Sequence, residues 1–437
     1  MRYIAMFLAV LAMTACSAPE SEQTQSTNPL LVESTLPYKL PPFDKIENEH
    51  FAPAFDVAME EHLAEIDVIA TNSAAPTFEN VFVELEKAGQ RLSYVARIFY
   101  NLNGTYTNEE MQAVQREYAP KLSAHSDAIL LNPDLFARVQ AVYDGRLNAN
   151  LDAESVRLVE ETYKDFVRAG AKLSEAQKDR LKAINAELAQ LGTQFSQKVL
   201  AEVNDSAVVF DDVSMLDGMS EARIEAAAAE AQARGFEEGH YVVTLLNTSG
   251  QPPLAYLTNR EARERIHKAS LKRGTRGNEY DTRDVVTQIL TLRNERAQLL
   301  GYDNHADYTL EVQTAGSVDR INDLHARVGP IAVANARKEG EVLQAMINET
   351  AEEPFDLASW DWAYYTEKVR QARYNFDDSE VRPYFEMNNV LVNGVFYSAE
   401  KLFGITFKER TDLPKYHPDT NIWEVFDADG SPMGLFI

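Results

Sequence analysis

The chain has 437 residues, 45% hydrophobic and 25% charged, which is enough apolar material for two or three cores or one large helical body. Its formal net charge is −26, and so acidic a surface repels the phosphates of nucleic acids and anionic lipid headgroups. We therefore expect no nucleic-acid partner, and the single cysteine, Cys16, excludes an internal disulfide.

Residues 1–16 have the pattern of an export signal. Arg2 precedes an apolar run over residues 3–13, which is too short to span a bilayer and suits the core of a secretory signal. Thr14 and Ala15 lead to Cys16, an arrangement similar to the lipobox of bacterial lipoproteins, in which the cysteine becomes the lipidated N-terminus. We predict that Cys16 is a lipid anchor and that the protein lies in the periplasm, attached to a membrane only through this anchor. A plain signal peptide with an incidental cysteine is the alternative.

Residues 17–37 are rich in Ser, Thr, Gln, Glu and Pro, a composition that predicts a flexible tether. The following residues, 38–240, are predicted to form an N-terminal helical domain. Its clearest helix begins at a capping box formed by Ser174 and Gln177. A core-facing stripe follows at a spacing of three or four residues; it comprises Leu181, Ile184, Leu188, Leu191, Phe195 and Val199.

Other segments with helical patterns lie around 78–101, 107–130, 153–169, 219–234, 282–300, 317–349, 359–375 and 388–403. Strands are few: residues 240–246 form one, and 207–210 are expected to pair with it. Residues 406–408 and 422–426 also look extended, and a turn at 427–430 precedes a last apolar strand at 433–437. The predicted fold class is mainly α with a small β element, and we expect the chain to be incomplete at its C-terminus because it ends within this strand.

The sequence contains no familiar catalytic constellation. None of the eight histidines lies four residues from another or precedes a glutamate, so the zinc-binding HExxH pattern is absent. There is also no GxSxG elbow, Walker loop or GxGxxG motif. We therefore predict no catalytic and no metal-binding residue within this chain.

Two long segments nevertheless resemble a known family. Residues 259–301 contain an Asn-Arg-x-x-Arg opening, a Gly-Asn-Glu-x-Asp turn and a Leu-Arg-x-Glu-x-Ala helix that ends before Leu-Gly-Tyr. Residues 360–407 contain Trp-Asp-x-x-Tyr-Tyr, Arg-Pro-Tyr-Phe and Leu-Phe-Gly-Ile. These motifs are similar to those of the thimet oligopeptidase and peptidyl-dipeptidase family of zinc metallopeptidases, and the resemblance covers roughly residues 38–437.

The resemblance implies a neurolysin-like oligopeptidase fold, in which two largely helical halves flank a channel, and a zinc-dependent cleavage of short peptides. In that family the HExxH motif lies further along the chain, so residues 241–437 would be the start of a peptidase domain truncated before the zinc site, inactive alone. The alternatives are a non-enzymatic helical peptide-binding protein and a scaffold lipoprotein of the cell envelope. We expect the aromatic residues of 360–365 to lie in the core, and Arg382–Phe385 to form a turn with a buried aromatic residue.

Overall fold

The structure, a computed structural model, describes residues 28–246, 250–375 and 378–437, with the side chains of 378 and 379 left out. The predicted signal peptide and Cys16 lie outside these ranges. Helices make up most of the described chain, which confirms the mainly α class. They are α1 (Phe51–Ala70), α2 (Glu84–Lys87), α3 (Gln90–Thr105), α4 (Glu109–Leu130), α5 (Pro133–Gly145), α6 (Ala153–Ala169), α7 (Glu175–Asp205), α8 (Glu221–Ala233), α9 (Arg260–Leu271), α10 (Arg283–Leu299), α11 (His305–Leu310), α12 (Val318–Thr350), α13 (Trp362–Tyr374), α14 (Asp378–Val381), α15 (Met387–Val390) and α16 (Tyr397–Phe403).

Shorter elements join these helices. The 3-10 turns are Pro29–Leu31, Pro37–Lys39, Phe43–Lys45, Asn48–His50, Arg146–Asn148, Val213–Leu216, Pro252–Ala255 and Arg382–Phe385, and the π-helical turns are Glu79–Val83 and Leu391–Phe396. The strands are β1 (Val208–Phe210), β2 (Tyr241–Val243), β3 (Thr406–Glu409), β4 (Trp423–Phe426) and β5 (Pro432–Phe436). Among the described helices, none combines the length and the hydropathy needed to cross a membrane.

The first core forms where α1, α3 and α4 pack together. Phe51 meets Phe99 edge to face at 5.2 Å between ring centroids, and Phe55 stacks on Tyr118 at 5.1 Å. Leu30 is buried in the same cluster, on a 3-10 turn that the Asn28 side chain caps. The predicted tether is therefore wrong for residues 28–37, because this apolar side chain anchors them to the helical body.

A second core joins the end of α1 to α5, α6 and the π-helical turn Glu79–Val83. The helix predicted around 78–101 is interrupted here, since α2 ends at Lys87 and α3 begins at Gln90. Gly89 between them has a φ of +71°, and a Cβ atom on it would lie 2.6 Å from the ring of His62. The left-handed backbone and this close approach both favour glycine, which explains the break.

The long helix α7 links the two halves of the chain. Its predicted capping box is present, with Ser174 and Gln177 bonding each other's backbone N–H groups. Leu181, Ile184 and Leu191 are buried as predicted, but Phe195 is 36% exposed, so the core-facing stripe ends within the helix. The helix packs against α4 on one side and α10 on the other.

Two small sheets complete the fold, and their strands lie in the segments that were predicted to be extended. Strand β1 pairs with β2 in antiparallel register, and their core includes residues from both sides of position 240. Residue 240 therefore does not separate two packed units. Strands β3, β4 and β5 form an antiparallel sheet, and Ile422 beside β4 packs against Leu40 near the start of the described chain.

A pair of histidines, the buried His125 and the half-buried His62, lies between α1 and α4. Nε2 of His125 is 3.0 Å from Nδ1 of His62, and His125 is only 7% exposed. Burial lowers the pKa of His125 to about 4, with a smaller contribution from His62, and burial also lowers the pKa of His62. Both imidazoles are therefore neutral in the folded protein at neutral pH.

We expect the histidine pair to make the fold sensitive to acid. The pKa of His125 is lower in the folded state than its unfolded value of about 6.5, so the unfolded state binds more protons as the pH falls. The full stability of the fold is present above about pH 6.5, and about 3 kcal/mol of it is lost as the pH falls to 4. Urea unfolding of wild type and His125→Gln between pH 4 and 7 measures this loss. A wild-type slope no steeper than that of His125→Gln would contradict the assignment, and His325→Gln on an exposed surface is the control.

Candidate functional site

The histidines and carboxylates do not come together as a metal centre in the described part of the chain. No group of three or more His, Cys, Asp or Glu side chains there could hold a metal ion. Apart from the pair His62 and His125, the histidines are separated in the sequence: His267 lies near Trp360, and His417 lies near Tyr106. The predicted absence of catalytic and metal-binding residues in the whole chain stays a prediction, as does the anchor at Cys16.

The two family-like segments meet at a buried cluster of charges. Asp361, at the start of α13, is fully buried and accepts hydrogen bonds from two arginines of α9. Nη2 of Arg260 lies 2.9 Å from its Oδ2, and Nη2 of Arg263 lies 2.8 Å from its Oδ1. Burial alone would raise the pKa of Asp361, but the bonds from Arg260 and Arg263 outweigh it and hold the pKa below its ordinary value.

Arg263 is itself 1% exposed and would be costly to bury without partners. It donates to the carbonyl groups of Leu257 and Thr258, and its guanidinium lies 4.4 Å from the ring centre of Tyr364. The cluster therefore fixes the start of α9 against α13. Sequence reasoning recognised both motifs but did not foresee that they touch, because they are about one hundred residues apart.

A second buried carboxylate ties α7 to the Gly-Asn-Glu-x-Asp turn. Glu202 is 1% exposed and accepts bonds from Arg276, from Asn278 and from the backbone N–H of Gly274. The bond from Arg276 is the main reason that its pKa is lowered to about 2. The N-terminal helices are thus locked to the segment that carries the family motifs.

The aromatic residues of 360–365 divide between core and surface. Tyr365 is 5% exposed and belongs to a small core with Leu343 and Ile347 of α12. Trp362 is 36% exposed, so the core prediction holds fully for Tyr365 only. The Arg382–Phe385 turn is present, but Tyr384 and Phe385 are 72% and 69% exposed, and the prediction of a buried aromatic residue there is wrong. None of the described elements covers these rings.

Other apolar side chains of this half are exposed as well, and we call these residues together the apolar surface. Residues 322–339 of α12 are exposed around the helix, apart from the half-buried Gly329. Leu324, Val328 and Ile331 lie on one helical face at a spacing of four and three. The rest of the apolar surface comes from the segment that follows α14; its exposed members are Tyr384, Phe385, Met387, Val390, Val392, Val395, Tyr397, Leu402 and Phe403.

An apolar surface of this kind indicates contact with other polypeptide. Patches larger than a few hundred Å² are rare on monomeric proteins and mark interaction sites. Most helices also gain their stability from packing an apolar face. The described residues therefore form a helical scaffold that carries an uncovered apolar surface.

Comparison with known proteins agrees with this architecture. Residues 253–436 match the family model described as Peptidase family M3. The chain is 40% identical to the dipeptidyl carboxypeptidase of Escherichia coli over 409 residues, which is 94% of this chain and 60% of that protein. It is 31% identical to oligopeptidase A of Salmonella typhimurium over 417 residues, with the same coverage of 94% and 60%.

A more distant relative is the thimet-like oligopeptidase of Dictyostelium discoideum, 23% identical over 415 residues, 92% of this chain and 58% of that protein. The fold and these relatives define a helical member of a peptidase family. The chain belongs to peptidase family M3. It spans about 60% of the length of the curated relatives named first.

We expect Asp361→Asn to destabilise the protein strongly. The amide cannot neutralise Arg263, so a buried guanidinium is left without its charge partner, which typically costs about 3–5 kcal/mol. Urea unfolding of the purified variant measures the loss. The matched control is Asp179→Asn, whose ion pair with Lys182 is exposed and should contribute less than about 1 kcal/mol. Equal losses in the two variants would show that the buried cluster does not stabilise the fold.

Proposed function

We propose that this chain supplies the helical part of a zinc metallopeptidase that cleaves short peptides, in the manner of a peptidyl-dipeptidase. The support is membership of peptidase family M3 and the 40% identity to a protein named dipeptidyl carboxypeptidase. Zinc in such enzymes polarises the scissile carbonyl and activates a bound water molecule. No set of described side chains suits this ion, so we infer that the zinc ligands lie outside the residues that the structure describes.

The apolar surface is the observation that carries this proposal. It lies on the same part of the chain as the family match, residues 253–436. The named bacterial relatives are longer, and the alignment leaves about 40% of each uncovered. Polypeptide corresponding to that remainder would pack on Leu324, Val328 and Ile331 of α12 and on the exposed aromatic rings of Tyr384 and Phe385. In this proposal the scaffold positions one wall of the peptide channel, and the added polypeptide brings the metal.

The experiment compares the 437-residue chain with a chimaera that adds the uncovered part of the E. coli relative. We expect the chain alone to cleave no blocked tripeptide or longer peptide, and the chimaera to do so in a manner that a chelator abolishes. Val328→Asp with Ile331→Asp in the chimaera should abolish this activity, because two carboxylates cannot be buried at the new contact. Val32→Asp, at a residue 54% exposed outside the apolar surface, is the matched control.

The possible outcomes separate the hypotheses. Chelator-sensitive cleavage by the 437-residue chain alone would contradict the placement of the zinc ligands. A folded chimaera that binds peptides calorimetrically without cleaving them would favour the alternative of a non-enzymatic peptide-binding protein.

We also propose that the protein is exported and anchored in the cell envelope through Cys16, so that its peptides are those of the periplasm. The support is the order of a basic residue, an apolar run and a lone cysteine in residues 1–16. Cells grown with a palmitate analogue should label the wild-type protein and not Cys16→Ser, while Ser21→Ala, the control, keeps the label. Equal labelling of wild type and Cys16→Ser would contradict the anchor.

A further inference from the structure

A polar cavity of about 410 Å³ lies at the meeting point of α4, α6, α7, α10 and α11. One wall carries Asp127 of α4 and Asn185 of α7, and another carries Arg296 of α10. The space is within the range of small-molecule sites in proteins, although at the small end. None of the residues that line it belongs to the apolar surface.

Asp127 is the most unusual residue of this cavity. It is 8% exposed, and its Oδ1 accepts a hydrogen bond from Nδ2 of Asn185 at 2.8 Å. Its Oδ2 has no hydrogen-bond partner in the described protein. Burial accordingly raises the pKa of this carboxyl. A buried carboxylate with one free oxygen is costly to the fold, which suggests that a donor normally meets it.

Arg296 presents the complementary feature. Its Nη1 reaches only the Oδ1 of Asn185, at 3.5 Å, and its Nε has no partner in the described protein. Burial lowers the pKa of this guanidinium. The Asn185 amide thus stands between a carboxylate with one oxygen that lacks a donor and a guanidinium whose Nε lacks an acceptor.

The neighbouring guanidinium of Arg168 already has its hydrogen-bond acceptors. Arg168 donates to the carbonyl of Tyr308 at 2.7 Å and to the hydroxyl of Tyr302 at 3.2 Å, and it forms an ion pair with Glu311. The missing hydrogen-bond partners are therefore one donor for Asp127 and one acceptor for Arg296. The remaining walls include apolar side chains, namely Leu130, Leu181, Leu188 and Leu300.

We propose that this cavity binds a small zwitterion of the amino-acid or dipeptide class, with its ammonium group at Asp127 and its carboxylate at Arg296. The leucines would receive an aliphatic side chain of the ligand. Since α7 and α10 face each other across the site, the ligand would also brace the N-terminal helices against the family-matched half. Binding of such a ligand requires neither zinc nor peptide cleavage, so a negative binding result would leave the proposed function untouched.

The test is calorimetry and thermal unfolding of the 437-residue chain with three probes: L-leucine, the dipeptide Ala-Leu, and N-acetyl-leucine amide, which lacks both charges. At least one zwitterion should bind and raise the midpoint of unfolding at roughly 10 mM, a concentration that fills a millimolar site. The blocked analogue should not. Tighter binding of leucine or of Ala-Leu tells which zwitterion the site prefers, and either result supports the proposal.

Two variants test the assigned contacts. Asp127→Asn and Arg296→Met should each weaken binding about tenfold or more, because each removes one charge-assisted contact. Asp127→Asn should unfold no earlier than wild type without ligand, since it removes a desolvated charge, and this separates lost binding from lost folding. Asp144→Asn, on an exposed face of α5, is the matched control. Absence of zwitterion binding, equal binding of the blocked analogue, or unchanged affinity in folded Asp127→Asn would overturn the proposal.

Discussion

The buried carboxylate of Asp361 constrains the architecture of the family-matched half. A fully buried charge must be neutralised where it lies, and here two arginines of α9 meet it. Because Asp361 stands at the entrance to α13, the contact sets the direction in which α13 leaves the core. Helix α12 packs against α13 through Leu343, Ile347 and Tyr365, so the position of the long helix follows from the same cluster.

That geometry explains why the apolar surface exists. Only the C-terminal part of α12 reaches the small core, and residues 322–339 of this 33-residue helix are exposed apart from the half-buried Gly329. An amphipathic stripe on such a helix gains nothing from burial within the described residues, and neither do the aromatic rings after α14. The stripe would contribute to stability only when another apolar surface packs on it. The scaffold thus combines a well-packed N-terminal body with an interaction face in the half that carries the family motifs.

The buried charged side chains differ in how completely they are hydrogen-bonded. Glu202 is fully partnered by Arg276, Asn278 and the backbone of Gly274, and it serves as a structural link. Asp127 is buried and Arg296 is half-buried, and they leave one oxygen and one nitrogen unpaired at residues that line a cavity. The contrast between a satisfied and an unsatisfied buried charge is the physical reason to treat the second pair as a binding site.

Local patterns were enough to predict much of the fold. The Ser174 capping box and the helix ending before Gly301 depend on interactions within a few residues, and strands β1 and β2 on short runs rich in β-branched residues. Helix α9 was not predicted because it is too polar to show a long apolar stripe. The helix break at Gly89 depends on the ring of His62, which no local pattern reveals.

The sequence by itself determined the mainly α class, the small sheets and the family resemblance, because these rest on periodicity and on motifs that are continuous in the chain. Only the tertiary structure decided that Leu30 is core, that Tyr384 and Phe385 are exposed, and that Asp127 and Arg296 share a cavity. Each of these depends on which distant segment covers a side chain. Burial is a property of packing between elements, and a single sequence records the side chain without recording its neighbour.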